Sequence, residues 1–138
     1  MAGLTLDAGA LVALERRKQR VLGLLSVAHE DGWSVTAPST AIAEWWRGRT
    51  DVSESILPAI DVEPVSLAPA RLAGEAMARV RGATLADAIV MASAARRGDR
   101  VLTDDVRDFE KLGAYFPSVK VLGIRPLRSC WRSVARRS

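Results

Sequence analysis

Acidic residues recur at four separated places in the chain, each beside an apolar run. Asp7 follows Gly3-Leu4-Thr5-Leu6, Glu44 stands inside TAIAEWW, and Asp87 inside TLADAIVMASAA. Asp104, Asp105 and Asp108 crowd together in VLTDDVRDFE. Three carboxylates within five residues repel one another at neutral pH, so something must offset them. Each acid also has an ordinary structural role open to it. Asp7 can cap a helix, and Glu44 can be an exposed helix residue. A capping box does not account for Glu44, because Ala41 stands where Ser or Thr is needed. Asp87 lies at capping-box distance from Thr84. One of Asp104 and Asp105 can cap a following helix, and Asp108 suits its first turn. Capping thus explains one or two of the last three acids. The run LADAIVMASAA has only Asp87 and Ser93 as polar residues, which marks a buried helix. A carboxylate there needs a cation or hydrogen-bond donors. Carboxylate oxygens without His or Cys suit the hard cations Mg²⁺ and Mn²⁺. Such ions activate water and neutralise charge developing on a phosphodiester.

The elements that must position these acids alternate along the chain. Short apolar strands are predicted at 3–6, 33–36, 62–67, 101–103 and 119–122. Helices are predicted at 8–18, 19–30, 38–46, 51–60, 68–81, 85–97 and 106–112. The fourth of these is weak and breaks near Pro58; the last stops before Gly113. Pro64 argues that the third strand lies at an edge. Strands alternating with helices give a parallel sheet covered on both faces. Ligands of such sheets collect outside the carboxyl ends of the strands, where Asp7 and Asp104-Asp105 fall.

Composition sets the outer bounds. A chain of 138 residues, 49% hydrophobic, points to one domain with a real core. The one cysteine, Cys130, excludes an internal disulfide and a cysteine zinc site. The one histidine, His29, argues against a histidine metal site or a Ser-His-Asp triad and reads as a surface residue. No basic segment followed by an apolar stretch opens the chain, and no apolar run approaches a membrane span. A cytoplasmic location is expected. The net charge of +4 is uneven. Residues 125–138, RPLRSCWRSVARRS, hold five Arg and no acid. The remaining 15 bases and 16 acids leave residues 1–124 at −1. A domain at 1–124 and a basic tail at 125–138 follow. Leu127, Trp131 and Val134 predict a short amphipathic helix in that tail, with Arg128, Arg132 and Arg136 on another face. Phosphate attraction is expected from it, with help from Arg47, Arg49, Arg96 and Arg97. The competing expectation is a tail packed on the body or left solvated.

Other nucleotide and phosphate chemistries lack their motifs. DAGALVAL after the first strand supplies neither G-x-G-x-x-G nor a P-loop. Gly9 breaks the Asp-x-Asp of a phosphoryl-aspartate phosphatase, and the third strand, VEPVSL, ends on no acceptor Asp of a receiver domain.

Across residues 3–124 the sequence resembles the PIN-domain ribonucleases, and within them the VapC toxins of bacterial toxin–antitoxin pairs. LTLDAGALVAL, APSTAIAEWW, TLADAIVMASAA and VLTDDVRDFEKL carry the likeness, in that order. The resemblance implies a three-layer α/β/α fold with a parallel five-stranded sheet in the order 3-2-1-4-5. It implies catalytic and metal-binding roles for Asp7, Glu44, Asp87 and Asp105, with Asp104 a less secure fifth ligand. It implies Mg²⁺ or Mn²⁺ as cofactor and endonucleolytic cleavage of RNA by activated water, leaving a 5′-phosphate and a 3′-hydroxyl. A VapB-type antitoxin and a homodimer are the partners it implies, with a docking groove beside Trp45 and Trp46. Adjacent helix residues cannot both face one core: either one of these two Trp residues is buried and the other partly covered, or one is exposed as an anchor of that groove, for which Trp46 is the candidate. The alternative is a non-catalytic PIN-like module that binds RNA or protein. Ala8-Gly9 departs from the pattern, which has a small hydroxyl residue after the first acid.

Overall fold

The computed structural model describes residues 3–124, so the basic tail at 125–138 and the helix expected in it lie outside the described residues. Five parallel strands form one sheet in the order β3-β2-β1-β4-β5. They are β1 (Gly3–Leu6), β2 (Ser34–Pro38), β3 (Asp61–Glu63), β4 (Arg100–Thr103) and β5 (Val121–Gly123). The helices are α1 (Ala8–Glu15), α2 (Gln19–Glu30), α3 (Ser39–Trp45), α4 (Asp51–Ile56), α5 (Leu67–Arg79), α6 (Leu85–Arg97) and α7 (Arg107–Tyr115), with one 3₁₀ turn at Leu57–Ala59. The three-layer α/β/α arrangement expected from the sequence is the one observed.

Strand alternation decides which side chains enter which layer. Leu4, Leu6 and Leu102 pack against α1 to α4. Val101 packs against α5 to α7. α6 is buried from Ala88 to Ala94, as its near-absence of polar residues requires. Thr84 caps it, accepting from the Asp87 N–H at 3.2 Å, and Gly98 closes it in the left-handed region (φ 72°). β3 is an edge strand, and Pro64 lies just past its end. α7 runs through Gly113 to Tyr115. Burial of Phe109, Leu112 and Phe116 outweighs the helix-weakening effect of that glycine.

Two polar features shape the surroundings of the sheet ends. The first is internal. Arg97 donates through Nε to Asp99 at 2.9 Å and through Nη2 to the Thr5 hydroxyl at 2.8 Å, and it pairs with Glu63 through Nη1. Thr5 in turn donates to Asp99 at 2.8 Å, and Ser93 to Glu63 at 2.9 Å. β1, β3 and α6 are thereby tied together, and Arg97 is committed to the fold rather than to an external phosphate.

The second feature is the turn between α1 and α2. α1 ends three residues earlier than periodicity suggests. The Lys18 N–H reaches Ala13 O and the Arg17 N–H reaches Leu14 O, both at 3.0 Å. This is a Schellman closure, whose left-handed position usually holds glycine. Here it holds Arg17, at φ 54°. A left-handed non-glycine residue costs about 1–2 kcal/mol. Arg17→Gly should therefore raise the stability of the protein by about 1 kcal/mol, less the extra unfolded-state entropy of glycine. Urea denaturation reads this directly; an unchanged or lowered midpoint would refute the strain.

Candidate active site

The site is built where β1 and β4 end side by side. Their register pairs Leu6 with Leu102, so Asp7 and Thr103 emerge as neighbours. Asp7 caps α1: its Oδ1 accepts from the Ala10 N–H at 2.8 Å. Its Oδ2 accepts from the Thr103 hydroxyl at 2.5 Å. The same hydroxyl oxygen accepts from the Asp105 N–H at 3.1 Å. One threonine thus couples the first acid to the last. Sequence reasoning treated Thr103 only as part of a pattern. Its signal was a β-branched hydroxyl closing a strand just before two acids.

Asp7 is buried, at 9% exposure. Burial pushes its carboxyl up to about 6 against the opposing hydrogen bonds from Thr103 and Ala10, and the charges of Asp104 and Asp87 push the same way. Asp87 is half-buried at the start of α6. Its carboxyl is also raised, first by burial and then by the charges of Asp108, Glu44 and Asp105, while the Thr84 hydroxyl works against the shift. These mutual influences bring Asp7, Glu44, Asp87, Asp104, Asp105 and Asp108 into one electrostatic neighbourhood at the carboxyl end of the sheet. Glu44, Asp104, Asp105 and Asp108 are exposed there.

The structural and chemical readings of these acids coexist. Asp7 caps α1 with one oxygen and holds Thr103 with the other. Asp105 accepts from the Arg107 N–H at 3.1 Å, at the start of α7. Asp108 lies in the first turn of that helix. α3, which carries Glu44, is fastened to α1 through Trp45, whose Nε1 donates to Glu15 at 3.1 Å. Trp45 is the core residue of its pair. Trp46 is partly covered and meets Trp45 edge-on at 5.8 Å.

The surroundings of Gly9 account for one of the two positions in the departure of the first motif; nothing in the structure explains Ala8. A Cβ at position 9 would overlap the Asp104 carboxylate. The space that a side chain at position 9 would take is occupied by this second acid from β4's end. A hydroxyl residue at position 9 and the present Asp104 conformation are mutually exclusive.

The donor chemistry fits a hard divalent cation: oxygen ligands only, with the carboxyls of Asp7 and Asp87 raised first by burial and further by neighbouring charge. One turn before Glu44, the Thr40 Oγ1 is buried with no hydrogen-bond partner. The acids are neighbours without being gathered into a ligand cage. Among the described residues, no group of three or more acids, His or Cys is drawn close enough to hold a metal. His29 is exposed, as expected.

In the metal-free protein, the folded state binds the Asp7 proton more tightly than the unfolded state does. The associated stability is complete below pH about 4 and is lost as pH rises through about 6. Asp7→Asn keeps a capping oxygen and removes the charge. With chelator present, it should stabilise the protein above pH 6 by up to about 2–3 kcal/mol and have little effect near pH 4. Denaturation at both pH values tests this, and equal effects at the two would contradict it.

No protein-family profile and no curated protein matches this sequence. Solved structures do. A chain of the VapBC2 complex of Rickettsia felis bound to a promoter DNA fragment superposes with a TM-score of 0.69 at 13% identity, covering 89% of this chain and 98% of that one. A toxin–antitoxin complex from Klebsiella pneumoniae gives 0.66 at 15% identity, over 91% and 100% of the two chains. FitAcB from Neisseria gonorrhoeae gives 0.60 at 19% identity, over 90% and 99%. Likeness at these identities is a likeness of fold: with its 3-2-1-4-5 sheet, this chain has the fold of the chains it matches in these structures.

Proposed function

We infer that the protein is a Mg²⁺- or Mn²⁺-dependent endoribonuclease, the toxin of a VapBC-type pair. The observation that carries this reading is geometric: Asp7, at the end of β1, is hydrogen-bonded to Thr103 at the end of the adjacent β4, which leads directly into Asp104 and Asp105 at the same end of the parallel sheet. Asp7, Glu44, Asp87 and Asp105 would hold the cation, with Asp104 as a further oxygen donor. A bound divalent ion supplies positive charge that offsets the carboxylate repulsion, activates water and neutralises charge developing on a phosphodiester. The chain's own contribution is positioning. Thr103 and the Ala10 N–H fix both oxygens of Asp7, so its carboxylate needs no reordering to act. The buried body of α6 sets the depth of Asp87. The Trp45–Glu15 bond holds the short α3 against α1 and with it Glu44.

The spacing of the acids favours one alternative, a PIN-like module that binds RNA or protein without cleaving. A single variant separates the two. Asp87→Asn should reduce Mn²⁺-dependent cleavage of a single-stranded RNA by about 100-fold or more, and should abolish stabilisation by added Mn²⁺. Cleavage at the wild-type rate by this variant removes the assignment.

The partner in this reading is a VapB-type antitoxin, with the toxin itself a homodimer. Trp46 is only partly exposed. A better surface is an apolar groove of about 650 Å³ between α2 and α4, lined by Leu22, Leu25, Val35, Val52 and Ile56. Leu22 is exposed there. Leu22→Glu should weaken antitoxin binding about tenfold or more while leaving RNA cleavage by the isolated protein unchanged. Undiminished affinity in a titration would exclude this groove.

A further inference from the structure

We propose that a groove running from Asp104 to the α1–α2 turn is the track for the RNA strand beside the scissile phosphate, with Arg16, Lys18 and Arg20 as its phosphate-binding residues. The groove has a volume of about 440 Å³. Gly9 and Asp104 line it, which makes it continuous with the acidic site. Arg16, Lys18 and Arg20 line it as well, and all three are exposed. Val12, Ala13 and Ile124 complete its walls.

Charge complementarity identifies the occupant. The acids alone repel a polyanion, so a nuclease site of this kind needs cations next to it. The basic residues first suspected from the sequence are occupied in part. Arg97 is tied to Glu63 and Asp99, Arg49 pairs with Glu54, and Arg47 donates to the carbonyl of Trp46. Among the described residues, the ion pairs involve only Arg49 and Arg97. Arg16, Lys18 and Arg20 therefore keep their charge available to phosphate. The Schellman turn that presents them retains Arg17 in a left-handed conformation where glycine would be unstrained. None of the described residues that line the groove is aromatic, so they offer no stacking platform for bases. It would hold the backbone without reading sequence.

This proposal rests on the nuclease reading above, and the test separates the two. Binding of a fluorescent single-stranded RNA is measured against salt in the full-length Asp87→Asn protein. Replacing Arg16, Lys18 and Arg20 together by Gln should lower the slope of log affinity against log salt by about 2, at roughly 0.7 per lost contact. A control replaces Arg71, Arg79 and Arg81, three exposed residues on or just after α5, by Gln and removes the same net charge. It should leave the slope unchanged. In the Asp87-intact protein, the groove variant should raise KM at nearly constant kcat. Equal slope losses in both triple variants, or no loss in the groove variant, overturn the groove. If the groove fails while Mn²⁺-dependent cleavage persists and depends on Asp87, the nuclease reading stands. If wild type neither binds nor cleaves RNA, both fall.

Discussion

The Thr103–Asp7 hydrogen bond is the point through which the site is organised. It exists because β1 and β4 are adjacent and in register, an arrangement set by the burial of Leu4, Leu6, Val101 and Leu102 on the two faces of the sheet. Parallel strands place successive chain exits side by side at one edge. An acid following one strand and a hydroxyl closing its neighbour then meet without help from either loop. The hydroxyl also accepts the Asp105 N–H, so the turn after β4 is fixed by the same atom. The repulsion among the carboxylates is thereby confined to side chains whose backbones are held by buried strands and a buried helix. Core packing supplies the rigidity, and the acids are held close at the expense of their own ionisation.

Much of this was legible in the sequence, because it depends on patterns of polarity. A parallel sheet between helices follows from short apolar runs alternating with helices, whereas its strand order came only from the family resemblance; the acids stand out against apolar neighbours. α6 announces itself as buried through its lack of polar residues, and Thr84 and Gly98 mark its ends. Element ends were less legible. α1 stops at Glu15 through a backbone closure that uses an arginine where glycine is usual, so composition gives no warning. α7 continues past Gly113 because aromatic burial beyond it outweighs local propensity. β3 stops at Glu63, before Pro64, where the ladder would lose a donor.

Pairings across the fold were illegible for a different reason. Nothing near Arg97 in the chain shows that Glu63 and Thr5 will surround it, since these partners lie 34 and 92 residues away. A basic residue at a helix end reads as solvent-facing until the sheet beneath it is known. The same holds for Gly9. Within DAGALVAL it looks like the loss of a useful side chain. Its meaning appears only when Asp104, from the other end of the sequence, is found in the space a Cβ would fill.

These pairings change how the charge of the molecule is understood. Counting residues 1–124 gives near neutrality, which by itself suggests that the body has little hold on a polyanion. Distribution matters more than the sum. Arg97 is neutralised internally by Glu63 and Asp99, whereas among the described residues the cations of the α1–α2 turn form no ion pair, and they border the acidic cleft. An acidic centre beside a basic wall produces a local gradient that net charge cannot describe. A phosphate strand lying along the wall brings its backbone to the carboxylates without having to approach them first. Gly9 serves both sides of this arrangement: its missing side chain admits Asp104 to the cleft and leaves the groove open to the basic turn.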